Sequence, residues 1–395
     1  MRVHIFDPQL NLADGHFAAY DAAVATELRR RGIETIVYGS ARPAPSISSR
    51  MEAEPVFSRG IFEEAAADPL TWALENFVQL GREFHSDLGK LGSDRFAGDD
   101  LAFFPNIIQY QINGITDWIS ELPPKRRPAI ILKPSYLTYA MPYLQRRPNK
   151  EIVPLLYRFS MRRLTDSHPR TRICSDTEEM VRQFSVLSNI PIHLLPMPLA
   201  IDARASEPKA PSRTNVVYLG HASMLKGFHL LPQIVSRVVT AKDSPHFLIQ
   251  SYGEAQLCAT VEKALLSVPP DKLTLVRGAV DADAYSRLLQ LADIVLLPYA
   301  TEFYGWASSG IFAEAMSLGK VAVATQGTWP AQQLEKFHGG GVVFKTLDAE
   351  SVANATLDAV RMLPLLRERS ARAAPAWRRH HCAVNLVDNL LALIS

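Results

Sequence analysis

The stretch from residue 291 to residue 325 constrains the fold of this chain more than any other part of the sequence. Ile294 to Leu297 is a short apolar run, and Lys320 to Ala324 is a second one. Between them, Ser308 to Gly310 opens a helix that ends at Gly319. Two buried strands joined by a helix are typical of a parallel βαβ unit. The sequence therefore predicts an α/β protein with a parallel sheet.

The start of this helix is the first candidate site. Ser308, Ser309 and Gly310 suit an N-cap and leave the first helical amides free. The helix begins at the carboxyl end of a parallel strand, where open α/β sheets bind ligands. Free amides and the positive end of the helix dipole favour an anion such as phosphate. Glu314 lies one turn further along the same face. The alternative is a turn of this type that binds nothing.

Length and proline spacing predict two domains. The chain has 395 residues, which is long for one domain. Leu195 to Ser212 contains four prolines among small and charged residues and is typical of a linker. Before it, residues 3–38 have a strand, glycine loop, helix and strand; after it, a new α/β series begins at Asn215. We expect domains at residues 1–200 and 213–375, with a ligand cleft between them.

The sequence indicates a cytoplasmic protein. No run approaches the ~20 apolar residues of a membrane span, and residues 1–9 are typical of a first strand and not of a signal peptide. Three cysteines, Cys174, Cys258 and Cys382, are far apart and show no metal-binding spacing. A sparse, odd number of cysteines fits a reducing compartment.

Charge is unevenly distributed. Residues 125–172 contain 12 Lys and Arg against 2 acids, so this basic segment carries +10 and the rest of the chain −8, for a net charge of +2. Such asymmetry favours an anionic surface, substrate or membrane as partner. A solvated basic face is the alternative. Because the segment has no recognised nucleic-acid motif, we expect no nucleic-acid partner.

A second candidate site follows the strand that begins at Asn215. The loop from Gly220 to Gly227 contains Lys226, whose ammonium group is suited to neutralise a diphosphate. Gly278 with Tyr285, and Asp293, fall at other strand ends. We expect Asp293 to act as a cap or structural partner. Amides and a lysine together would stabilise a leaving diphosphate electrostatically.

The order of these pieces resembles the retaining GT-B glycosyltransferases, close to family 4. The residues that carry the resemblance are VVYLGHASMLKGFHLL, the run ending LADIVLLPY, SSGIFAEAMSLGKVAVAT, GGGVVF and DAESVANA. They cover about residues 213–360, while the first half matches only loosely, through Gly15. The resemblance implies two Rossmann-like domains facing a cleft. It also implies a C-terminal helix, within residues 376–395, that crosses back to the acceptor-binding first domain.

The resemblance implies roles for particular residues. Lys226 matches a lysine that contacts the donor diphosphate, and Glu314 a glutamate that holds the nucleotide ribose. The donor-binding residues implied are Gly15, Gly220, His221, Lys226, Ser309, Gly310 and Glu314. The catalytic residues implied are Lys226, Glu302 and His16. Neither a metal nor a tightly bound cofactor is expected, since the UDP- or GDP-sugar donor is a substrate.

Three departures from the family pattern affect this site. His221 stands where the family often has an arginine, and Trp306 where it has its first glutamate. Glu302 is the acid four residues earlier that we expect to contact the sugar, with a solvated loop residue as the alternative. The first-domain histidine has no clear match, because Asn106 cannot act as a base. His16 is the nearest histidine; its alternative role is a helix N-terminal residue facing water.

The leading prediction is a hexosyltransferase that moves a sugar from a nucleotide donor to a glycan, lipid-linked or small-molecule acceptor, with retention of configuration. The basic segment adds peripheral contact with the inner face of the membrane. Two alternatives stay open. One is another GT-B activity, a sugar-nucleotide epimerase or a phosphorylase. The other is a catalytically silent subunit that binds sugar nucleotides or glycans.

Overall fold

The computed structural model describes residues 1–10, 17–43, 51–61, 63–65, 68, 70–141, 144–199 and 213–395. These form two compact units: unit 1 comprises Met1–Pro198 and His381–Ser395, and unit 2 comprises Leu199–His380. Gly15, His16 and residues 200–212 of the predicted linker lie outside the described residues. Each unit has a parallel sheet flanked by helices, so the predicted α/β class with two Rossmann-like domains is confirmed.

Unit 1 contains a sheet of seven parallel strands in the order β3-β2-β1-β4-β5-β6-β7. Its strands are β1 Val3–Phe6, β2 Thr35–Ser40, β3 Glu54–Phe57, β4 Leu101–Ile107, β5 Ala129–Pro134, β6 Thr171–Ser175 and β7 Ile192–Leu194. Its helices before the linker are α1 Phe17–Arg30, α2 Trp72–Gly89, α3 Gln109–Glu121, α4 Ile152–Ser167 and α5 Glu178–Ser188. Strand order reverses between β1 and β4, which makes a crevice at their carboxyl ends.

The sequence did not reveal strand β3. It lies at the edge of the sheet, where it pairs only with β2 among the described strands. Glu54 and Pro55 are exposed, and a proline is tolerated at an edge because its missing N–H faces no partner strand. The apolar run that marks the central strands is therefore absent here.

Unit 2 contains a sheet of six parallel strands in the order β10-β9-β8-β11-β12-β13. Its strands are β8 Asn215–Tyr218, β9 His246–Ser251, β10 Leu273–Arg277, β11 Ile294–Leu297, β12 Val321–Thr325 and β13 Gly341–Phe344. Its helices are α6 Leu231–Val239, α7 Ala255–Leu265, α8 Ala282–Leu291, α9 Thr301–Tyr304, α10 Gly310–Ser317, α11 Trp329–Lys336, α12 Ala349–Arg361 and α13 Leu363–His380. Strand order reverses between β8 and β11, which places a crevice between the loops that follow these strands.

Helix α10 is held in place by aromatic packing. Trp377 of α13 is fully buried, and its Nε1 donates a hydrogen bond of 2.8 Å to the carbonyl oxygen of Ala313. The rings of Trp377 and Trp329 both contact Phe312, at centroid distances of 5.6 and 5.7 Å. Each buried aromatic side chain contributes on the order of 2 kcal/mol through its apolar area alone. The first turn of α10 therefore rests on a rigid support.

The chain from residue 376 onwards contains two helices in place of the one C-terminal helix expected within residues 376–395. Helix α13 ends at His380, and a separate helix α14, Ala383–Ala392, begins after Cys382. Its apolar side chains, Leu386, Val387 and Leu390, belong to the core of unit 1 with Val24 and Leu28 of α1. No helix in the described ranges is both long enough and apolar enough to cross a bilayer.

Candidate functional site

The loop after β8 brings Lys226 to the carboxyl edge of the unit 2 sheet. Gly220 has a φ of 89°, and its N–H donates a hydrogen bond of 2.9 Å to Oε1 of Gln250. Lys226 ends a short 3₁₀ turn, and Gly227 follows with a φ of 68°. A Cβ at Gly227 would lie 2.3 Å from the carbonyl oxygen of Pro298, so a glycine is required for this close approach.

Lys226 is a desolvated cation. Its Nζ lies 6.0 Å from the ring centroid of Tyr299, and within the described ranges no carboxylate forms an ion pair with it. Burial lowers the pKa of Lys226 to about 8. A bound anion would offset this loss of hydration, and so the lysine is suited to an anionic ligand.

The first turn of α10 lies against the same loop. Ser309 is the N-cap: its Oγ accepts a hydrogen bond of 3.3 Å from the N–H of Phe312. In the part of the chain that the structure describes, the N–H groups of Gly310 and Ile311 have no acceptor. A Cβ at Gly220 would lie 2.6 Å from Cδ1 of Ile311 and 3.0 Å from Nζ of Lys226. Lys226 therefore lies beside the first turn of α10, whose two free amides belong to the same turn as Ile311, and such a helix start next to a cation suits a phosphate.

Glu314 lies one turn further along α10. The hydroxyl of Tyr285, on α8, donates a hydrogen bond of 2.5 Å to Oε2 of Glu314. Burial raises the pKa of Glu314 to about 7, although the hydrogen bond from Tyr285 acts in the opposite direction. The carboxyl group is therefore close to half ionised at neutral pH, with a second oxygen available to accept from a ligand hydroxyl.

The chain departs from the family pattern at His221 and Trp306, and Glu302 is the acid expected to contact the sugar in place of the missing glutamate. Glu302 is exposed on α9, and among the described residues no hydrogen bond or ion pair joins its carboxylate to Lys226 or Glu314. Trp306 is buried; its Nε1 donates a 3.0 Å hydrogen bond to the carbonyl oxygen of Glu302. His221 is exposed, and desolvation, followed by the charge of Lys226, lowers its pKa. The imidazole is therefore neutral at pH 7.

Unit 1 has a polar cluster that the sequence did not reveal, at the carboxyl ends of its central strands. Asp7 follows β1 and accepts a hydrogen bond of 2.6 Å from Nδ2 of Asn106. Asp21 of α1 is fully buried, and burial, followed by the charge of Asp7, raises its pKa well above the usual range. Lys133, at the end of β5, is buried, with its Nζ 3.9 Å from Oδ2 of Asp176.

The described part of the chain contains no metal centre. Among the described residues, no group of three or more His, Cys, Asp or Glu side chains is placed to hold a metal ion. All three cysteines have free thiols, and Cys174 is buried.

The loop and the helix just described lie within a segment that matches one family model. Residues 213–361 match the family model described as glycosyl transferases group 1. The resemblance inferred from the motifs is confirmed for this part of the chain, and the matched segment contains Gly220, Lys226, Ser309 and Glu314. Among curated protein sequences, none matches this chain significantly.

Solved structures resemble the whole chain and show its fold. A glycosyltransferase from Rickettsia africae superposes with a TM-score of 0.69 at 11% identity, covering 100% of this chain and 97% of its own. HepE from Anabaena, in complex with UDP and glucose, gives 0.65 at 11% identity, with 99% and 98% covered. The α,α-trehalose-phosphate synthase (UDP-forming) from Burkholderia xenovorans, in complex with glucose-6-phosphate, gives 0.67 at 11%, with 100% of both chains covered. The predicted GT-B fold is therefore confirmed.

Replacing Gly220 with alanine is expected to weaken anion binding at this loop at least tenfold. The new Cβ would force apart Ile311 and Lys226, and the positive φ would cost a further 1 kcal/mol or so. Gly32→Ala is the matched control, because Gly32 has a φ of 75° and an added Cβ there would meet no atom within 4 Å. Calorimetric titration with a nucleoside diphosphate measures both variants. Equal affinities in the two would show that Gly220 does not border the anion site.

Proposed function

We propose that this protein is a retaining hexosyltransferase that uses a nucleotide-sugar donor. The observation that carries the proposal is that Lys226 lies beside the first turn of α10, whose Gly310 and Ile311 amides have no acceptor among the described residues, at the switch point of a sheet within the segment that matches the group 1 glycosyltransferases. This arrangement suits the diphosphate of a donor. Glu314 is suited to accept from the ribose hydroxyls, because it lies one turn from those amides on the same helix.

In the proposed reaction, the bond between the anomeric carbon and the diphosphate oxygen breaks, the acceptor hydroxyl oxygen forms a new bond to that carbon, and the hydroxyl proton passes to the leaving diphosphate. Negative charge grows on the leaving diphosphate. Lys226 and the two amides stabilise this charge in a partly desolvated site, where electrostatic effects are larger than in water. Glu302 is the proposed acid on the donor sugar, since its exposed carboxylate follows the carboxyl end of β11. Retention of configuration rests on the resemblance of the motifs.

We assign acceptor binding to unit 1. Its polar cluster at the reversal between β1 and β4 supplies Asp7, Asp21 and Lys133, groups suited to the hydroxyls of a sugar or to an anion. The charge of the basic segment supports an anionic or lipid-linked acceptor. His16 stays the proposed histidine of this unit, and Gly15 the proposed glycine of its first loop.

The nucleotide of the donor can be identified by thermal unfolding with UDP, GDP, ADP, TDP and CMP. A ligand that binds only the folded protein, at 100 times its Kd, adds about 2.7 kcal/mol to the free energy of unfolding. We expect a rise of several degrees in Tm with one nucleoside diphosphate. UDP is our first choice, because HepE, which shares the fold, is in complex with UDP. No shift with any nucleotide would contradict a preformed donor site.

Transfer itself is tested with the donor so identified and a panel of glycan, lipid-linked and sugar-phosphate acceptors. The proposal expects a product whose anomeric configuration, read from its NMR coupling constants, equals that of the donor. An inverted product would contradict retention. The neutral His221 and the buried Trp306 are the observations that support the alternative of a silent binding subunit. Such a subunit would bind the nucleotide without turnover on any acceptor. An epimerase would convert the donor without an acceptor.

A further inference from the structure

One outer surface of unit 1 exposes an unusual number of apolar side chains. Fourteen large hydrophobic side chains are exposed in the described residues, and five of them lie on α2, just before it, or on α4. We call this surface the α2–α4 face and define it by Leu70, Leu74, Val78, Leu155 and Phe159. Leu70, Leu155 and Phe159 are 68%, 59% and 54% exposed. Isolated exposed apolar residues are ordinary, but a contiguous group marks an interaction site.

Two contacts join the parts of the chain that carry these five side chains. The rings of Phe77 on α2 and Phe159 on α4 are in edge contact, with centroids 6.1 Å apart. Near the start of both helices, Nδ2 of Asn149 donates a hydrogen bond of 2.7 Å to the carbonyl oxygen of Leu70. Leu70, Leu74 and Val78 recur every four residues, as do Leu155 and Phe159, so each set forms a stripe along its helix.

The stripe on α4 alternates apolar and cationic side chains. Arg158 and Arg162 are exposed and lie three and seven residues after Leu155, on the same side of the helix. Within the described ranges, no carboxylate forms an ion pair with either arginine. The acids nearest in sequence to these side chains are Glu75, Glu151 and Asp166. Glu75 accepts a hydrogen bond from the hydroxyl of Thr71.

Several other cations of the basic segment are paired or buried, whereas Lys125 and Arg146 are exposed. Lys133 is buried at the end of β5, and Arg163 forms an ion pair of 2.5 Å with Asp117. Arg147 pairs with Glu64, and Arg170 and Arg172 donate to carbonyl oxygens. The segment is therefore not one uniformly basic surface. Arg158 and Arg162 are the cations that lie between exposed apolar side chains.

We propose that the α2–α4 face docks unit 1 on an anionic lipid bilayer. Leu and Phe side chains on a helix that lies in the interface enter the boundary between head groups and acyl chains, while arginines on its flank contact lipid phosphates. Long arginine side chains also keep their charge at the surface while their stems lie along apolar neighbours. Exposed Phe159 and Leu155 beside Arg158 and Arg162, which form no ion pair with a described carboxylate, give the combination of apolar and cationic side chains that suits an anionic bilayer.

Docking through the α2–α4 face rests on the anionic partner of the proposed function and specifies the surface that would contact it. It does not depend on catalysis, because binding to vesicles is measured without donor or turnover. Failure of transfer would leave the docking face standing, and failure of docking would leave the transferase standing.

Sedimentation with phosphatidylcholine vesicles, with and without about one third phosphatidylglycerol, tests the proposal. We expect the full chain to bind the anionic vesicles at low salt and to be released at about 0.5 M salt, where the Debye length falls to a few ångströms. The double variant Arg158→Gln/Arg162→Gln is expected to bind about 30-fold more weakly, since each arginine near an anionic surface contributes roughly a fivefold factor. Leu155→Ser/Phe159→Ser is expected to lose binding even at low salt.

Matched controls change equivalent side chains elsewhere. Arg237→Gln/Arg369→Gln removes the same charge from exposed positions of unit 2, and Val186→Ser removes an apolar side chain that is 76% exposed on α5. Both are expected to bind like wild type. Absence of binding to anionic vesicles, or equal losses in the controls, would overturn the proposal. The proposal would also be overturned if the protein did not bind vesicles but formed a concentration-dependent dimer that Phe159→Ser abolishes. Thermal unfolding confirms that each variant is folded.

Discussion

Lys226→Met is expected to reduce kcat/KM for the donor by about 10²–10³, the usual effect of removing one group that stabilises developing negative charge. Methionine keeps the length of the side chain and its packing near Tyr299 but removes the charge. The affinity for the nucleoside diphosphate should fall as well, since the same ammonium group is proposed to contact this product. Steady-state kinetics and calorimetric titration measure the two effects.

The same substitution is expected to stabilise the protein. The pKa of Lys226 is about 8 in the folded state and 10.5 in the reference state, so the folded chain binds this proton less tightly. The free energy of unfolding is therefore unaffected by this lysine above about pH 10.5, and it decreases as the pH falls towards 8. At pH 7 we expect Lys226→Met to raise the free energy of unfolding by about 1–2 kcal/mol, less than the full linkage because the side chain is half-buried. A site built for function commonly has this effect on stability.

Lys320→Met is the matched control, because Lys320 is a second partly buried lysine of unit 2. It precedes β12 and so lies at the amino edge of the sheet, where its Nζ donates a hydrogen bond of 2.6 Å to the carbonyl oxygen of Gln290. Burial lowers its pKa too. Activity close to wild type in Lys226→Met, or an equal loss in Lys320→Met, would remove Lys226 from the donor site.

The sequence predicted the parts of the site that one chain segment encodes. The apolar runs of β11 and β12 and the Ser309–Gly310 turn located the helix that presents free amides. Lys226 was found because a glycine-rich loop follows an obvious strand. These signals are local, since a strand, its loop and the next helix are neighbours in sequence as well as in space.

The rest depends on contacts between distant segments. Gln250 fixes the amide of Gly220, and Tyr285 meets Glu314, yet nothing in the spacing of either pair shows this. Asp7, Asp21 and Lys133 are single polar residues beside apolar strands, and the sheet order alone brings them together. The sequence indicated the charge of residues 125–172 but not its distribution, because burial and ion pairing decide which of these cations reach solvent.

Glu314→Gln is expected to weaken nucleoside diphosphate binding by about 10- to 100-fold, because hydrogen bonds to charged groups contribute about 1.5–3 kcal/mol. Glutamine keeps an acceptor for Tyr285 but loses the charge that strengthens bonds from ribose hydroxyls. It is also expected to stabilise the free protein above pH 7. The pKa of Glu314 is about 7 in the folded state against 4.5 in the reference state, so stability is lost as the pH rises through this window.

Together, Lys226 and Glu314 predict a narrow optimum for donor binding between about pH 7 and about pH 8. Affinity should fall below this range as Glu314 is protonated and above it as Lys226 is deprotonated. Because a terminal phosphate itself titrates near pH 6, the acid limb is taken as the difference between wild type and Glu314→Gln. Tyr285→Phe should move that limb to higher pH, since the lost hydrogen bond had lowered the pKa of Glu314. Lys226→Met should remove the alkaline limb. An affinity that is constant from pH 6 to pH 9 in wild type, measured by calorimetric titration, would show that neither group contacts the nucleotide.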